Sequence, residues 1–210
     1  MGTAERRDRE RQEMQTLILD AARDLFATEG YEAVTMRKIA ERIEYSPTAI
    51  YFHFRDKLTL LRELCDRDFA AFAAVLQRTA RVQDPVERLR QVGYAYVDFA
   101  LEHPNHYRFL FMTPHPPLAP EESAIQKGNP DQDAYAFLRA IIVEAIARGR
   151  LKPELKDPDL VAQLAWGAAH GVVALHNVKC SDSWIDWRSP RELARRLIDL
   201  AVDGILKAGA

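Results

Sequence analysis

The sequence predicts an all-α protein: an N-terminal three-helix head followed along the chain by a larger helical domain. Apolar residues recur at three- and four-residue steps almost throughout, and no stretch alternates convincingly at period two, so helices rather than strands are expected. Helix-start signals cluster early, at Thr35 and at Ser46-Pro47, and mark out two short helices. With 210 residues, 48% of them hydrophobic, the chain has enough apolar material for a small domain joined to a larger one.

The first helix carries Leu17, Ile18, Ala21, Ala22, Leu25 and Phe26 as an apolar stripe and stops at Gly30, a C-terminal cap. Residues 1–13 before it, with Arg6, Arg7, Arg9 and Arg11 among acids, read as a flexible, solvated arm. A short second helix opens at Thr35 and buries Ile39, Ala40 and Ile43. The third opens at Ser46, with Pro47 where a missing N–H costs nothing, and runs to about Phe54. A long helix extends from about Arg55 towards Arg81, with Leu58, Leu61, Leu64, Cys65, Phe72 and Leu76 inward. Further helices are expected from Asp84-Pro85 to Glu102, over "YRFLFM", and across 133–149, 158–179 and 190–207, with a proline-rich loop at 114–132. The expected domains are 1–57 and 58–210.

Composition narrows the function. The polar N-terminus is not a secretion signal, and the apolar run at 160–178 is interrupted by Gln163, His170 and His176, so a cytoplasmic protein without a membrane span is expected. Cys65 and Cys180 form no CxxC pair and have no histidines at zinc-finger spacing, so no metal and no cofactor are expected. His103 and His106 lie near carboxylates, but no HExxH, GxSxG or P-loop accompanies them, and the chain reads as a non-enzyme. Net charge is −2, and through residue 57 acidic residues outnumber basic ones eleven to ten, so any nucleic-acid binding must come from the arrangement of charge rather than its total.

Two short helices joined by a tight turn and packed on a longer one form the pattern of a helix-turn-helix. In the third helix, Ala49, Ile50 and Phe54 share one side, which leaves Pro47, Thr48, Tyr51 and Phe52 on the other. Two aromatic rings on an outward face suit an interaction surface better than a solvated one. In a DNA major groove Thr48 can bond base edges, Phe52 can touch a thymine methyl and Tyr51 can reach a phosphate. The helix starts at Thr35 and Ser46 suit phosphates as well as simple capping, and Arg37, Lys38, Arg42, His53, Arg55 and Lys57 add positive charge.

"TMRKIAERIEYSPTAIYFHFRDKLTLL", residues 35–61, resembles the DNA-binding segment of the TetR family of bacterial transcriptional regulators, with its T-x-x-x-I-A, S-x-x-x-I-Y-x-H-F and D-K-x-x-L framework met throughout. The resemblance implies phosphate contacts from Thr35, Ser46, Tyr51, His53 and Lys57, and base reading by Thr48 with Pro47, Ala49 and Phe52. Family members usually have glycine where this chain has Glu44; a glutamate there takes positive φ at roughly 1 kcal/mol, or the turn takes another shape. The resemblance also implies a ligand-responsive repressor that leaves a palindromic, double-stranded operator when a small molecule binds its C-terminal domain.

A head of this kind binds tightly when two copies read half-sites about 34 Å apart, so a homodimer is expected. The last helix has an apolar stripe too broad for one packing surface, with Leu193, Leu197, Leu200 and Ala201 beside Ile198, Val202 and Ile205, and Gly167 and Gly171 would admit a close neighbour. The family resemblance agrees with pairing through these two C-terminal helices. It also implies a small-molecule effector, for which Tyr96, Phe99, Phe109, Met112, Phe137, Ile141, Trp166 and His170 are the candidate lining. "FALEHPNHYRFLF" and "WGAAHG" resemble a subgroup carrying tryptophan, histidine and glycine in that order. Alternatives are a metal-responsive or ligand-independent regulator of the same fold, and an adaptor that offers the aromatic helix to a protein.

Overall fold

The computed structural model describes residues 3–207. Among them run nine α-helices: α1 (Thr3–Glu29), α2 (Met36–Arg42), α3 (Pro47–His53), α4 (Lys57–Gln77), α5 (Pro85–Glu102), α6 (Pro104–Met112), α7 (Ala134–Ala147), α8 (Pro158–Lys179) and α9 (Pro190–Ile205). Short 3-10 turns lie at Arg78–Arg81 and Pro120–Glu122, and one isolated antiparallel pairing joins Leu151 to Leu206. The chain divides into two compact units, one of residues up to Asp68 with Asn105–Ala124, the other of Phe69–Pro104 with the residues from Ile125 onward.

In the first unit α1 buries Ile18, Leu19, Ala21, Ala22, Leu25 and Phe26, while Leu17 faces solvent. The helix ends at Gly30, whose φ of 83° glycine adopts without steric cost and whose N–H donates to Phe26 O. From Thr3 onward the expected arm is helical, and Met1 and Gly2 lie outside the described residues. The reason is local: Arg6 pairs with Glu10 at 2.9 Å and Arg9 with Glu13 at 3.7 Å, and such i,i+4 pairs favour the helix in a stretch without a buried face.

The boundary expected between residues 57 and 58 lies elsewhere. The first three turns of α4 belong to the first unit, where Leu60, Leu61 and Leu64 are fully buried; Leu58, expected inward, is exposed. So does most of α6, because Phe109 stacks on Phe26 at 6.0 Å and the Asn105 amide donates to Asp24. The following strap is fixed to α4 by Arg62 with Glu122, and by donation from the Ser123 hydroxyl and the Ala124 N–H to Asp66.

One buried ion pair organises this unit. Arg23 of α1 donates through two nitrogens to the Asp68 carboxylate of α4, at 2.6 and 2.7 Å, and through a third to Asp20 at 2.8 Å. Both Arg23 and Asp68 are almost wholly buried. Burial opposes the Arg23 charge, but hydrogen bonds and charge attraction from Asp68 and Asp20 outweigh it and raise the guanidinium above its ordinary value.

The second unit packs α5, α7, α8 and α9 with the last turns of α4. Asp84, Asp133 and Asp157 cap α5, α7 and α8 with their carboxylates, and Pro85, Pro158 and Pro190 open their helices. Helices α5 and α9 approach closely at Gly93, where a Cβ would sit 3.1 Å from Ile198. Charge pairs run along the same contact, Arg90 with Asp199 and Asp203 and Arg191 with Asp98 and Glu102, and the Tyr94 hydroxyl donates to Asp199.

Replacing Asp68 by Ala strands a buried cation, and a loss of about 3–5 kcal/mol in urea unfolding is expected. The double replacement Arg23→Met with Asp68→Leu should recover most of it. A single Asp68→Ala chain as stable as its parent would show that the pair does not hold α1 to α4.

Candidate functional site

The turn between α2 and α3 is built from backbone hydrogen bonds. The Tyr45 N–H donates to Ala40 O and the Glu44 N–H to Glu41 O, a Schellman closure that needs a left-handed residue after the cap. Glu44 supplies it with φ 60°, so this chain keeps the turn that glycine would form and accepts the strain. The Thr35 hydroxyl accepts from Lys38 N at 3.2 Å and the Ser46 hydroxyl from Ala49 N at 3.3 Å, which fixes both helix starts as expected.

Helix α3 then has one inner and one outer side. Ile50 and Phe54 are buried and Ala49 half-buried, whereas Pro47 and Thr48 are exposed and Tyr51 and Phe52 are 53% and 79% exposed. These two rings are therefore not part of the head's core. A nearly uncharged face with a hydroxyl and two rings can make apolar and hydrogen-bonding contacts to base edges.

The surrounding charges are more constrained than the sequence suggests. Arg37 pairs with Glu41 at 2.8 Å, Lys38 with Glu29 and Arg55 with Asp56 at 3.0 Å. The Lys57 ammonium donates to Tyr31 O and Val34 O at 2.9 and 3.0 Å and lies 3.9 Å above the Tyr31 ring. It thus pins the α1–α2 turn, and one of its three N–H groups remains for another acceptor. His53 is half-buried against the Phe52 ring, and its Nδ1 has no hydrogen-bond partner. Burial, then the Arg11 charge, pushes its imidazole below the ordinary value.

In the second unit the Tyr96 hydroxyl and His170 Nδ1 are hydrogen-bonded at 2.8 Å. Phe72 stands edge-on to Tyr96 and packs on Phe99, and Trp166 stands edge-on to His170. Tyr96, Phe99, Phe137 and Ile141 are buried, His170 is half-buried and Trp166 is 38% exposed. Burial pushes the His170 imidazole down, which favours its neutral form around pH 7. Of the other expected lining residues, Phe109 and Met112 belong to the first unit, with Phe109 buried on Phe26 and Met112 exposed. Phe72 and His103, which packs on Phe99, were missed; helical spacing alone does not show which α4 residues meet α5.

The expected pairing surface divides in two. Gly167 and Gly171 are exposed, with open space where a Cβ would stand, and Leu193, Leu197 and Leu200 face outward. Ile198 and Val202, expected at an interface, are buried instead, since the close approach at Gly93 draws that side of α9 into its own core; Ile205 is half-buried. Leu160, Leu164, Leu175 and Val178, not singled out in the sequence, are also exposed and continue the Gly167–Gly171 stripe at steps of three and four along α8.

Residues 18–64 match the family described as bacterial regulatory proteins, tetR family, and residues 89–201 the one described as tetracyclin repressor-like, C-terminal domain. The second description does not distinguish a Trp-His-Gly subgroup. The HTH-type transcriptional repressor Rv1474c of Mycobacterium tuberculosis is 44% identical over 61 residues, 29% of this chain and 33% of that protein. The HTH-type transcriptional repressor AcnR of Corynebacterium diphtheriae is 39% identical over 66 residues, 31% and 35% of the two chains. The chain thus spans about a third of the length of these curated relatives. The crystal structure of a TetR family transcription regulator from Marinobacter aquaeolei superimposes with a TM-score of 0.75 at 20% identity, over 97% of this chain and 99% of that one, and so has the same fold.

Glycine takes φ near 60° without the Cβ clash of roughly 1–2 kcal/mol but loses about 0.5–1 kcal/mol to its freer unfolded chain. Glu44→Gly should therefore stabilise the protein by up to about 1 kcal/mol in thermal unfolding, and a destabilised variant would refute the strain. Acid acts on the histidines. His53 and His170 titrate lower in the folded chain than the ordinary imidazole value of about 6.5, so below that pH the unfolded chain binds protons that the folded chain does not. Their contribution is complete above about pH 6.5 and declines as pH falls towards the folded-state values. Melting temperatures between about pH 7.5 and about pH 5.5 should fall less for His170→Gln than for the parent; parallel falls would exclude His170 as a source.

Proposed function

Since the chain belongs to the TetR family of bacterial regulatory proteins, we propose that it is a dimeric, ligand-responsive regulator that binds operator DNA through α3 and acts as a repressor. The observation that carries the reading is the outward face of α3, where Tyr51 and Phe52 are exposed beside Thr48 on a helix short enough to enter a major groove. Thr48, Pro47 and Phe52 read bases, while Ala49, expected to join them, is half-buried on the inner side of α3 and does not; Thr35, Ser46, Tyr51, His53 and the remaining donor of Lys57 hold phosphates, with Arg37 adding charge. The second copy docks on the stripe of Leu160, Leu164, Gly167, Gly171, Leu175 and Val178 together with Leu193, Leu197 and Leu200.

The effector is a small molecule with an apolar body and a polar group, taken up beside the Tyr96–His170 pair. Helix α4 carries the signal. It is continuous from Lys57 to Gln77, bonded near its middle to Arg23 through Asp68, and in contact one turn further on, through Phe72, with Tyr96. A ligand that reorders Tyr96 displaces Phe72 and tilts α4, which alters the spacing of two heads that DNA requires to be fixed. A coupling of about 1–3 kcal/mol gives roughly 5- to 150-fold release. Among the described residues no helix is long and apolar enough to cross a membrane, and no group of three or more His, Cys, Asp and Glu is placed to hold a metal ion.

Fluorescence anisotropy with duplex DNA from the intergenic segment beside its own gene tests the reading. Affinity should fall steeply with added salt, as phosphate contacts require and an apolar protein contact does not. Tyr51→Ala should weaken binding about tenfold or more, and Leu200→Glu should yield monomers in sedimentation that bind poorly. No binding at low salt would overturn the assignment, and salt-independent capture of a protein by α3 would favour the adaptor.

A further inference from the structure

We propose that the N-terminal extension of α1 is a second DNA-contacting element, in which Arg7 and Arg11 hold backbone phosphates flanking the segment read by α3. The inference rests on the DNA-binding reading above and adds contacts that the helix-turn-helix itself does not contain.

The extension presents its charges unequally. Residues 4–13 are all exposed, yet Arg6 and Arg9 are neutralised along the helix by Glu10 and Glu13. Among the described residues, Arg7 and Arg11 form no ion pair. At about 100° per residue, both fall within about 20° of Ile18, on the stripe that is fully buried where α1 crosses the head. Asp8 and Glu10 fall about 80° to either side of that stripe, and Glu5 and Glu13 about 140° away. The side of the extension that continues the head's inner face thus bears two cations and no anion. Its charge reaches α3, since Arg11 acts on the His53 imidazole.

Phosphate is the ligand chemistry that fits. The two arginines are one turn apart, about 6 Å along the helix, enough to reach two phosphates of one strand, and each guanidinium can bind an oxyanion through two parallel N–H groups. Being on a helix rather than a loose arm, they lose less freedom on binding. They also answer the charge problem of the head. Acids outnumber bases through residue 57, and Arg37, Lys38 and Arg55 are paired with carboxylates, so unneutralised cations are needed near α3, and the extension supplies them.

The test compares the full-length chain with Arg7→Ala/Arg11→Ala and Arg7→Lys/Arg11→Lys, all binding the same intergenic duplex between about 50 and 200 mM salt. Both positions lie beyond the buried turns of α1, so melting temperatures should not change. The alanine variant should bind about tenfold or more weakly, and its slope of log affinity against log salt should shrink by about 0.9 for each phosphate no longer neutralised, up to about 3.6 for the four arginines of a dimer. The lysine variant should retain most of the slope. Trimming the duplex outside the footprint of α3 should weaken the parent but not the alanine variant. Equal slopes for parent and alanine variant overturn the proposal and leave the α3 reading intact; a parent that binds no duplex at all overturns both.

Discussion

Two charges withheld from water, the Arg23 guanidinium and the Asp68 carboxylate, determine where α4 can run. Taking either from solvent alone is prohibitive, and together they are tolerated because the fork of Arg23 meets the carboxylate through two hydrogen bonds while a third nitrogen reaches Asp20. Against an apolar pair of the same size the net gain in stability is small, whereas removing one partner leaves the other charge buried and uncompensated. Helix α1 seats the head's core, and the part of α4 that ends at Asp68 is held to it inside the first unit by this contact.

Within the head, geometry comes from short-range rules acting together. Two hydroxyl caps, a proline at the start of α3 and a Schellman closure at Glu44 leave the turn little freedom, and Lys57 ties the preceding turn through two carbonyls and a ring. The core takes Ile39, Ile50 and Phe54, and the remainder of α3 has nowhere to go but outward. Exposure of Phe52 follows from that arrangement: burying it would require rotating α3 by half a turn and bringing Ile50 into water.

What the sequence revealed and what it concealed divide along the same line. Caps, helix limits and the outward rings of α3 depend on residues within a turn or two of each other, and these were legible. The strain at Glu44 was legible as one of two alternatives, and the structure selects it. Features decided by distant partners were not. Phe109 looks like any aromatic on a short apolar helix until Phe26 claims it, and that claim moves α6 and the strap into the first unit. On α9, Ile198 and Leu197 are both apolar and adjacent; only the close approach at Gly93 decides which is core. The charges of residues 3–13 suggested a solvated arm because composition does not register the i,i+4 order that turns them into a helix.

The glycine at position 93 reaches further than its size suggests. A methyl group there would sit 3.1 Å from the Ile198 side chain and push it back by a few tenths of an ångström, so the hydrogen of Gly93 lets α5 and α9 pack this closely. Leu193, Leu197 and Leu200 ride on the opposite side of α9, and their height above the core is inherited from that separation. Exchanging that one interior hydrogen for a methyl would therefore shift the outward leucines by a few tenths of an ångström, and so retune the proposed subunit contact while every residue on that surface stays the same.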